Sequence, residues 1–309
     1  MKLANTPVTQ HTFNGYPFYL KRDDLLHPEF SGNKARKFMA LLEADYPNIT
    51  TLIGYGSPQA NSLYSLSALA KLKGWKLEFY VSHIPEWLKQ NPLGNYQAAL
   101  ELGATVIDIN QLGSKLPPHD YIETIRMPNE QYLFEECLVI PEGGRSPIAE
   151  VGIKQLAQEI RQWAQEQETA ELTVALPSGT GTTALYLNKH LAPYNINVLT
   201  CACVGGEEYL IQQFKSLGEQ SHPTVLSSPE RRKHQFGKLY SADYQMWQSL
   251  TQQTNVEFDL LYDPYMWQCL THHFNQSREH NPNQTLLYIH QGGLLGNASM
   301  EKRYQRKLD

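Results

Sequence analysis

The chain has 309 residues, enough to bury a large core and, by the usual size of domains, to form roughly two of them. Its 41% hydrophobic and 18% charged residues are those of a soluble globular protein, and a net charge of −5 argues against a general nucleic-acid binder. No run approaches the ~20 apolar residues needed to span a bilayer, and Met1 to Thr6 leads into no secretory apolar core. The cytoplasm is therefore the expected location and a small molecule the expected partner, with no nucleic acid and no membrane.

In chain order, Phe18 to Leu20 reads as an entry strand, followed by a helix from about Asn33 to Ala44. Ala35, Phe38, Met39 and Leu42 share one face of that helix, and Ser31 or Asn33 can cap it. Ile49 to Ile53 is a short strand, Asn61 to Lys73 a helix stopped by Gly74, and Leu77 to Val81 the next strand. A helix over Gly94 to Leu102 leads to a strand over Thr105 to Ile109. After a polar stretch that fits neither pattern, Leu138 to Pro141 reads as a strand, Ile148 to Gln165 as a helix and Leu172 to Leu176 as a strand. Val198 to Val204 and Leu286 to His290 are further strands. Strands alternating with helices of about a dozen residues predict parallel βαβ units and an α/β protein. Cys201 and Cys203 fall on one side of a buried strand and read as reduced core residues, so no metal site is expected.

Ser31-Gly32-Asn33-Lys34-Ala35-Arg36-Lys37 puts three cations into the first helical turn, where the macrodipole disfavours each by roughly 0.3–1 kcal/mol. Such a turn serves as an anion site, as a way to lower a lysine pKa so that its amine becomes nucleophilic, or simply as a solvated basic surface. Four strands end in small-residue loops, at Gly54 to Ser57, Gly143-Gly144, Ser178 to Thr183 and His290 to Gly293. Ligands in open α/β sheets sit at such strand ends. The loop Gly179-Thr180-Gly181-Thr182-Thr183 combines close backbone approach, hydroxyl donors and a following helix N-terminus, which together make a phosphate cradle. It lacks the Walker A lysine and the dinucleotide-binding glycine spacing. A phosphate cup near an ill-placed lysine fits pyridoxal 5'-phosphate best.

These pieces resemble the aminocyclopropane-carboxylate deaminase and D-cysteine desulfhydrase family, within the tryptophan-synthase-β-like fold. The resemblance is carried by Lys21-Arg22-Asp23-Asp24-Leu25 with Gly32-Asn33-Lys34-Ala35-Arg36-Lys37, and by Asn91 to Asn95, Ile140 to Gly144, Gly179 to Thr183 and His290 to Gly293. It implies two open, twisted, mostly parallel sheets with flanking helices and the cofactor between two domains. Residues 1–45 and 141–309 would form the large cofactor-binding domain and 46–140 the small one. It further implies that Lys34 holds the cofactor covalently, that Asn61 lies beside its ring, and that Gly179, Thr180, Gly181, Thr182 and Thr183 cup its phosphate. Phe258-Asp259-Leu260-Leu261-Tyr262-Asp263 maps the family's active-site tyrosine onto Tyr262. Asp263 then stands where the deaminase has a glutamate facing the pyridine nitrogen. A homodimer is implied as well.

The departures are specific. Ala60 stands where the family has the serine that opens the cyclopropane ring, and Ser62 where it has a histidine. Gln291 replaces a threonine, and Pro264-Tyr265 a glycine-lysine pair. The resulting expectation is a pyridoxal-phosphate-dependent lyase or deaminase acting on a small amino acid and releasing ammonia and a 2-oxo acid. Lys34 would serve as base, and Tyr262, with Tyr240 as a further candidate, would act on the leaving group. The alternatives are a related racemase or β-replacement enzyme, or a non-catalytic binder of cofactor or amino acid suggested by Ala60. His290 reads equally as a packed core histidine or a site member. Arg231-Arg232-Lys233-His234 reads as a solvated loop, with attraction of a substrate carboxylate as the alternative.

Overall fold

Residues 3–127, 136–169, 171–227, 234–276 and 284–308 are described by a computed structural model, in which two mostly parallel sheets organise the chain. The larger sheet has six strands in the order β1(Val8–Phe13), β2(Tyr16–Lys21), β10(Gln284–Ile289), β7(Glu171–Ser178), β8(Asn197–Ala202), β9(Thr224–Val225). Among the described residues, only the β1–β2 pairing is antiparallel. The smaller sheet, β5(Thr105–Asp108), β4(Lys76–Val81), β3(Thr51–Tyr55), β6(Cys137–Val139), is parallel throughout. Seven of the eight residues of β7 are buried, as expected for a parallel strand covered on both faces.

The covering helices are α1(Gly32–Glu43), α2(Asn61–Lys73), α3(Glu86–Gln90), α4(Gly94–Glu101), α5(Pro118–Tyr121), α6(Glu150–Glu166), α7(Thr182–Leu191), α8(Glu207–Ser216), α9(Ser241–Thr254), α10(Asp263–Gln276) and α11(Asn297–Leu308). The α/β architecture expected from the alternating pattern is thus observed. Among the described residues no helix is long and apolar enough to cross a membrane. Arg231, Arg232 and Lys233 lie outside the described residues.

Helix α1 packs against both α2 and α6. Phe38, Met39 and Leu41 join the apolar core of the smaller sheet with Leu52, Leu66 and Phe79. On another face, fully buried Arg36 forks onto Asp23 at 2.9 Å and onto Glu159 of α6 at 2.6 and 2.8 Å. Lys21 of β2 adds an ion pair to Glu159 at 2.8 Å. The reading of Ser31–Lys37 as a solvated basic turn is therefore overturned: Arg36 is satisfied by two carboxylates inside the protein, and Lys37 is 2% exposed. Burying such a group is tolerable only with partners of this geometry.

The sequence reading also missed β1, an edge strand of half-exposed residues, and placed Cys201 and Cys203 correctly. Both thiols are buried and free, their sulfurs 3.5 Å apart.

Candidate active site

A cavity of about 480 Å³ opens at the carboxyl ends of the strands. Lys34, Asn61, Gly179, Thr183, Tyr262 and Asp263 all line it, although they come from four separate stretches of sequence. This is the position at which open α/β sheets hold ligands.

Lys34 is in the first turn of α1, whose start is fixed by Asn33 N–H donating to the Gln291 carbonyl at 3.1 Å. Its Nζ donates to the Gly143 carbonyl at 3.2 Å. Lys37, three residues on and so on the same helical face, donates to that same oxygen at 2.9 Å. Two ammonium groups cannot both remain charged against one carbonyl at low cost. Burial lowers the Lys34 amine to about 8. Burial, followed by the charge of Lys34, pushes Lys37 well below the usual lysine range. Lys37 lines the cavity too, a position that the sequence reading left without a role.

The phosphate-cradle loop leaves β7 at Ser178 and enters α7 at Thr182. Gly181 has a φ of +76°, and a Cβ there would run into Phe214 and Leu210, so only glycine allows this turn. Gly179, Thr180, Gly181 and Thr183 line the cavity, and the buried Thr183 Oγ1 has no partner among the described residues. Thr182 is fully buried, its hydroxyl 3.4 Å from that of Thr180. A helix N-terminus with a free hydroxyl fits an anion, and with the lowered amine of Lys34 across the cavity the residues present fit pyridoxal phosphate.

Asn61 begins α2 and is held at both ends of its amide. Its Nδ2 donates to Asp259 Oδ2 at 3.1 Å, and its Oδ1 accepts from Asn95 Nδ2 at 2.7 Å. Asn95 also donates to the Gln59 carbonyl at 3.0 Å, which fixes the loop carrying Ala60. Gly293, with a φ of +90°, packs its α-carbon against Asp259 and Asn61 where a Cβ would collide with both. Burial raises the Asp259 carboxyl to about 6, although the backbone N–H groups of Leu261 and Tyr262 and the amide of Asn61 donate to it.

Tyr262 packs its ring beside Gly179 and against Phe236, with centroids 5.1 Å apart. Burial, then the charge of Asp259, raises its phenol far above the ordinary value, so it is a proton donor and not a phenolate. Asp263 starts α10 with both oxygens engaged: Oδ1 accepts from Tyr288 O–H at 2.6 Å and Oδ2 from Asp259 N–H at 2.9 Å. Burial, then the neighbouring Asp259, raises it to about 8, so at neutral pH it is mostly a protonated acid.

His290 and Tyr240 do not line the cavity. His290 is fully buried, with Nε2 on the Glu257 carbonyl at 2.7 Å and Nδ1 accepting from Gly292 N–H at 3.2 Å, which is the packed core histidine of the two readings. Tyr240 precedes α9 and accepts from Gln235 N–H at 3.1 Å. Asp259, Asn95, Lys37 and Arg303 are the site residues that sequence reasoning missed. For Asn95 and Lys37 the signal was their place in matched motifs; for Asp259 it was its place in the matched segment, three residues before the mapped tyrosine.

No family model matches the chain. Curated relatives do. A Thermotoga maritima protein named for 1-aminocyclopropane-1-carboxylate deaminase is 23% identical over 299 residues, covering 94% of this chain and 92% of the relative. The Arabidopsis thaliana mitochondrial protein named bifunctional D-cysteine desulfhydrase/1-aminocyclopropane-1-carboxylate deaminase is 23% identical, over 95% of this chain and 78% of its own. A crystal structure of an ACC deaminase homologue superposes with a TM-score of 0.77 at 22% identity, covering 97% of this chain and 95% of that one. The chain is thus, over most of its length, a relative of proteins named 1-aminocyclopropane-1-carboxylate deaminase and D-cysteine desulfhydrase, and it shares the fold of the ACC deaminase homologue.

Proposed function

We propose that the chain is a pyridoxal-phosphate-dependent lyase or deaminase that releases ammonia and a 2-oxo acid from a small amino acid. The observation that carries this reading is the Lys34 amine, lowered to about 8 and facing the same cavity as the Gly179–Thr183 loop. The relatives named as deaminase and desulfhydrase support it.

Lys34 would hold the cofactor, the Gly179–Thr183 loop with the N-terminus of α7 its phosphate, and Asn61 would lie beside its ring. When bound, pyridoxal phosphate supplies an electron sink for charge developing on the substrate Cα. Lys34 Nζ, neutral in a large fraction of molecules near pH 8, takes the Cα proton. Tyr262 O–H, kept protonated by its burial, donates to the departing group. The Lys37 amine is held well below the usual lysine range, and a phosphate placed beside it would raise it again. Asp263, the position matched to the ring-nitrogen partner, is a neutral acid until a cation is placed against it.

Ala60 lines the cavity at the start of α2 with no hydroxyl to offer. Ser57 and Ser62 line the same wall, Ser62 being 5% exposed. The missing hydroxyl at Ala60 favours β-elimination over opening of a cyclopropane ring. In domain terms we read residues 46–140, which carry the smaller sheet, as a small domain on a large one formed by 1–45 and 141–309.

The test is the absorbance spectrum of the protein with pyridoxal phosphate, repeated with D-cysteine, L-serine and aminocyclopropane carboxylate, with 2-oxo acid and ammonia measured. A cofactor band with D-cysteine turnover and little ring opening supports the reading. A protein without a cofactor band refutes it.

A further inference from the structure

The cavity extends beyond the cofactor-sized end marked by Lys34 and Thr183 to a wall made by α11 and the segment before α9. Ser299, Met300 and Arg303 of α11 line this wall, with Phe236 and Gly237 opposite. Arg303 is an exposed residue whose guanidinium is nevertheless fixed in place. One Nη donates to the Gly237 carbonyl at 2.8 Å, and the other lies 3.3 Å from Met300 Sδ. A guanidinium has five N–H donors, so most of this fork stays uncommitted. Among the described residues no carboxylate pairs with Arg303, whereas Arg22 and Arg126 each have one and Arg36 has two.

The surroundings add positive charge. Lys307, one turn further along α11, donates to the Leu239 carbonyl at 2.9 Å, and Lys238 sits over the Tyr240 ring at 5.3 Å. In a chain of net charge −5, Arg303, Lys307 and Lys238 make the surface outside this wall locally basic, whereas Glu142, Asp259 and Asp263 line the cavity elsewhere. Position along the helix matters as well. Gly296, at the foot of α11, adjoins Asn61, and Arg303 is seven residues on, about 10 Å along the axis at 1.5 Å per residue. Arg303 thus belongs to the outer part of the cavity wall, about two helical turns from the end that adjoins Asn61.

Resting on the function proposed above, we propose that Arg303 is a specificity-determining residue that selects amino acids bearing a second anionic group at the end of the side chain. A planar fork with spare donors matches a carboxylate or a phosphate bidentately.

The experiment uses the cofactor-loaded protein and reads the amino-acid concentration at which the cofactor absorbance changes half-way. Aspartate, glutamate and O-phosphoserine are compared with asparagine, glutamine and serine, each as both enantiomers. The expected result is a midpoint for an acidic member about tenfold lower than for its neutral counterpart, as one charge-assisted hydrogen bond provides. That gap closes in Arg303→Gln and is partly kept in Arg303→Lys. The dicarboxylic and phosphorylated arms tell which anion is preferred. No acid-over-neutral gap in the wild type overturns the inference. So does a gap that persists in Arg303→Gln, or an equal loss for all amino acids in that variant, which would mark an α-carboxylate contact or a loop clamp. A wild type without cofactor absorbance fails at the earlier step and overturns the parent reading instead.

Discussion

Asn61 and Asp259 are 198 residues apart in sequence and belong to helices and loops of different sheets, yet the amide of one donates to the carboxylate of the other at 3.1 Å on the cavity wall. Asn95 holds the opposite end of that amide at 2.7 Å. The three side chains form a polar tie between the two halves of the fold. Asn61→Ala leaves the buried Asp259 short of a donor and Asn95 short of an acceptor. The expected cost is about 1–3 kcal/mol of stability, measured by urea unfolding. Asn95→Ala should cost a similar amount, and the double variant less than the sum, because both changes break one network. Strict additivity would mean that the tie has no energetic content.

Arg36 anchors α1, and with it Lys34, through Asp23 and Glu159. Removing it leaves two buried carboxylates without their cation. Arg36→Ala should therefore destabilise the protein by about 3–5 kcal/mol in thermal or chemical unfolding. A change below 1 kcal/mol would show that Glu159 and Asp23 are adequately held by Lys21 and Thr6, which also contact them.

The pH dependence of cofactor capture follows from the lowered Lys34 amine. Its reactive form is neutral, so the rate of loading pyridoxal phosphate onto the apoprotein should climb from pH 6 and level off above about pH 8. An unperturbed lysine would instead give a rate still rising close to tenfold per pH unit at pH 9. Stopped-flow absorbance distinguishes the two profiles.

Gly181→Ala tests the phosphate cradle. A φ of +76° and the pressure of Phe214 and Leu210 mean that the turn must shift to admit a methyl group. The affinity for pyridoxal phosphate should fall by about tenfold or more, while the affinity for pyridoxal, which lacks the phosphate, should change less. Equal losses for both would place the damage outside the phosphate loop.

Much of this arrangement was legible from local sequence. Lys34 stood out because cations at a helix start conflict with the macrodipole, and the Gly179–Thr183 loop because glycines and hydroxyls follow an apolar run. The α/β class followed from alternation alone. What escaped depends on tertiary contact. Nothing near Asp259 announces that its partner is Asn61, and Lys37 looks like any surface lysine until Gly143 draws it beside Lys34. Strand β1 was missed because its residues are mostly half-exposed and its alternation is weak. Arg303 carries no local mark at all; only the fold brings α11 against Gly237.

The proposed function rests on Lys34 as the residue that binds the cofactor. Borohydride reduction of the protein loaded with pyridoxal phosphate, followed by peptide mass spectrometry, tests it most directly. The expected result is a single modified peptide with the cofactor fixed on Lys34, and no fixed cofactor in Lys34→Ala. Cofactor fixed on Lys37 in the wild type, or a borohydride-sensitive band that survives in Lys34→Ala, would contradict it.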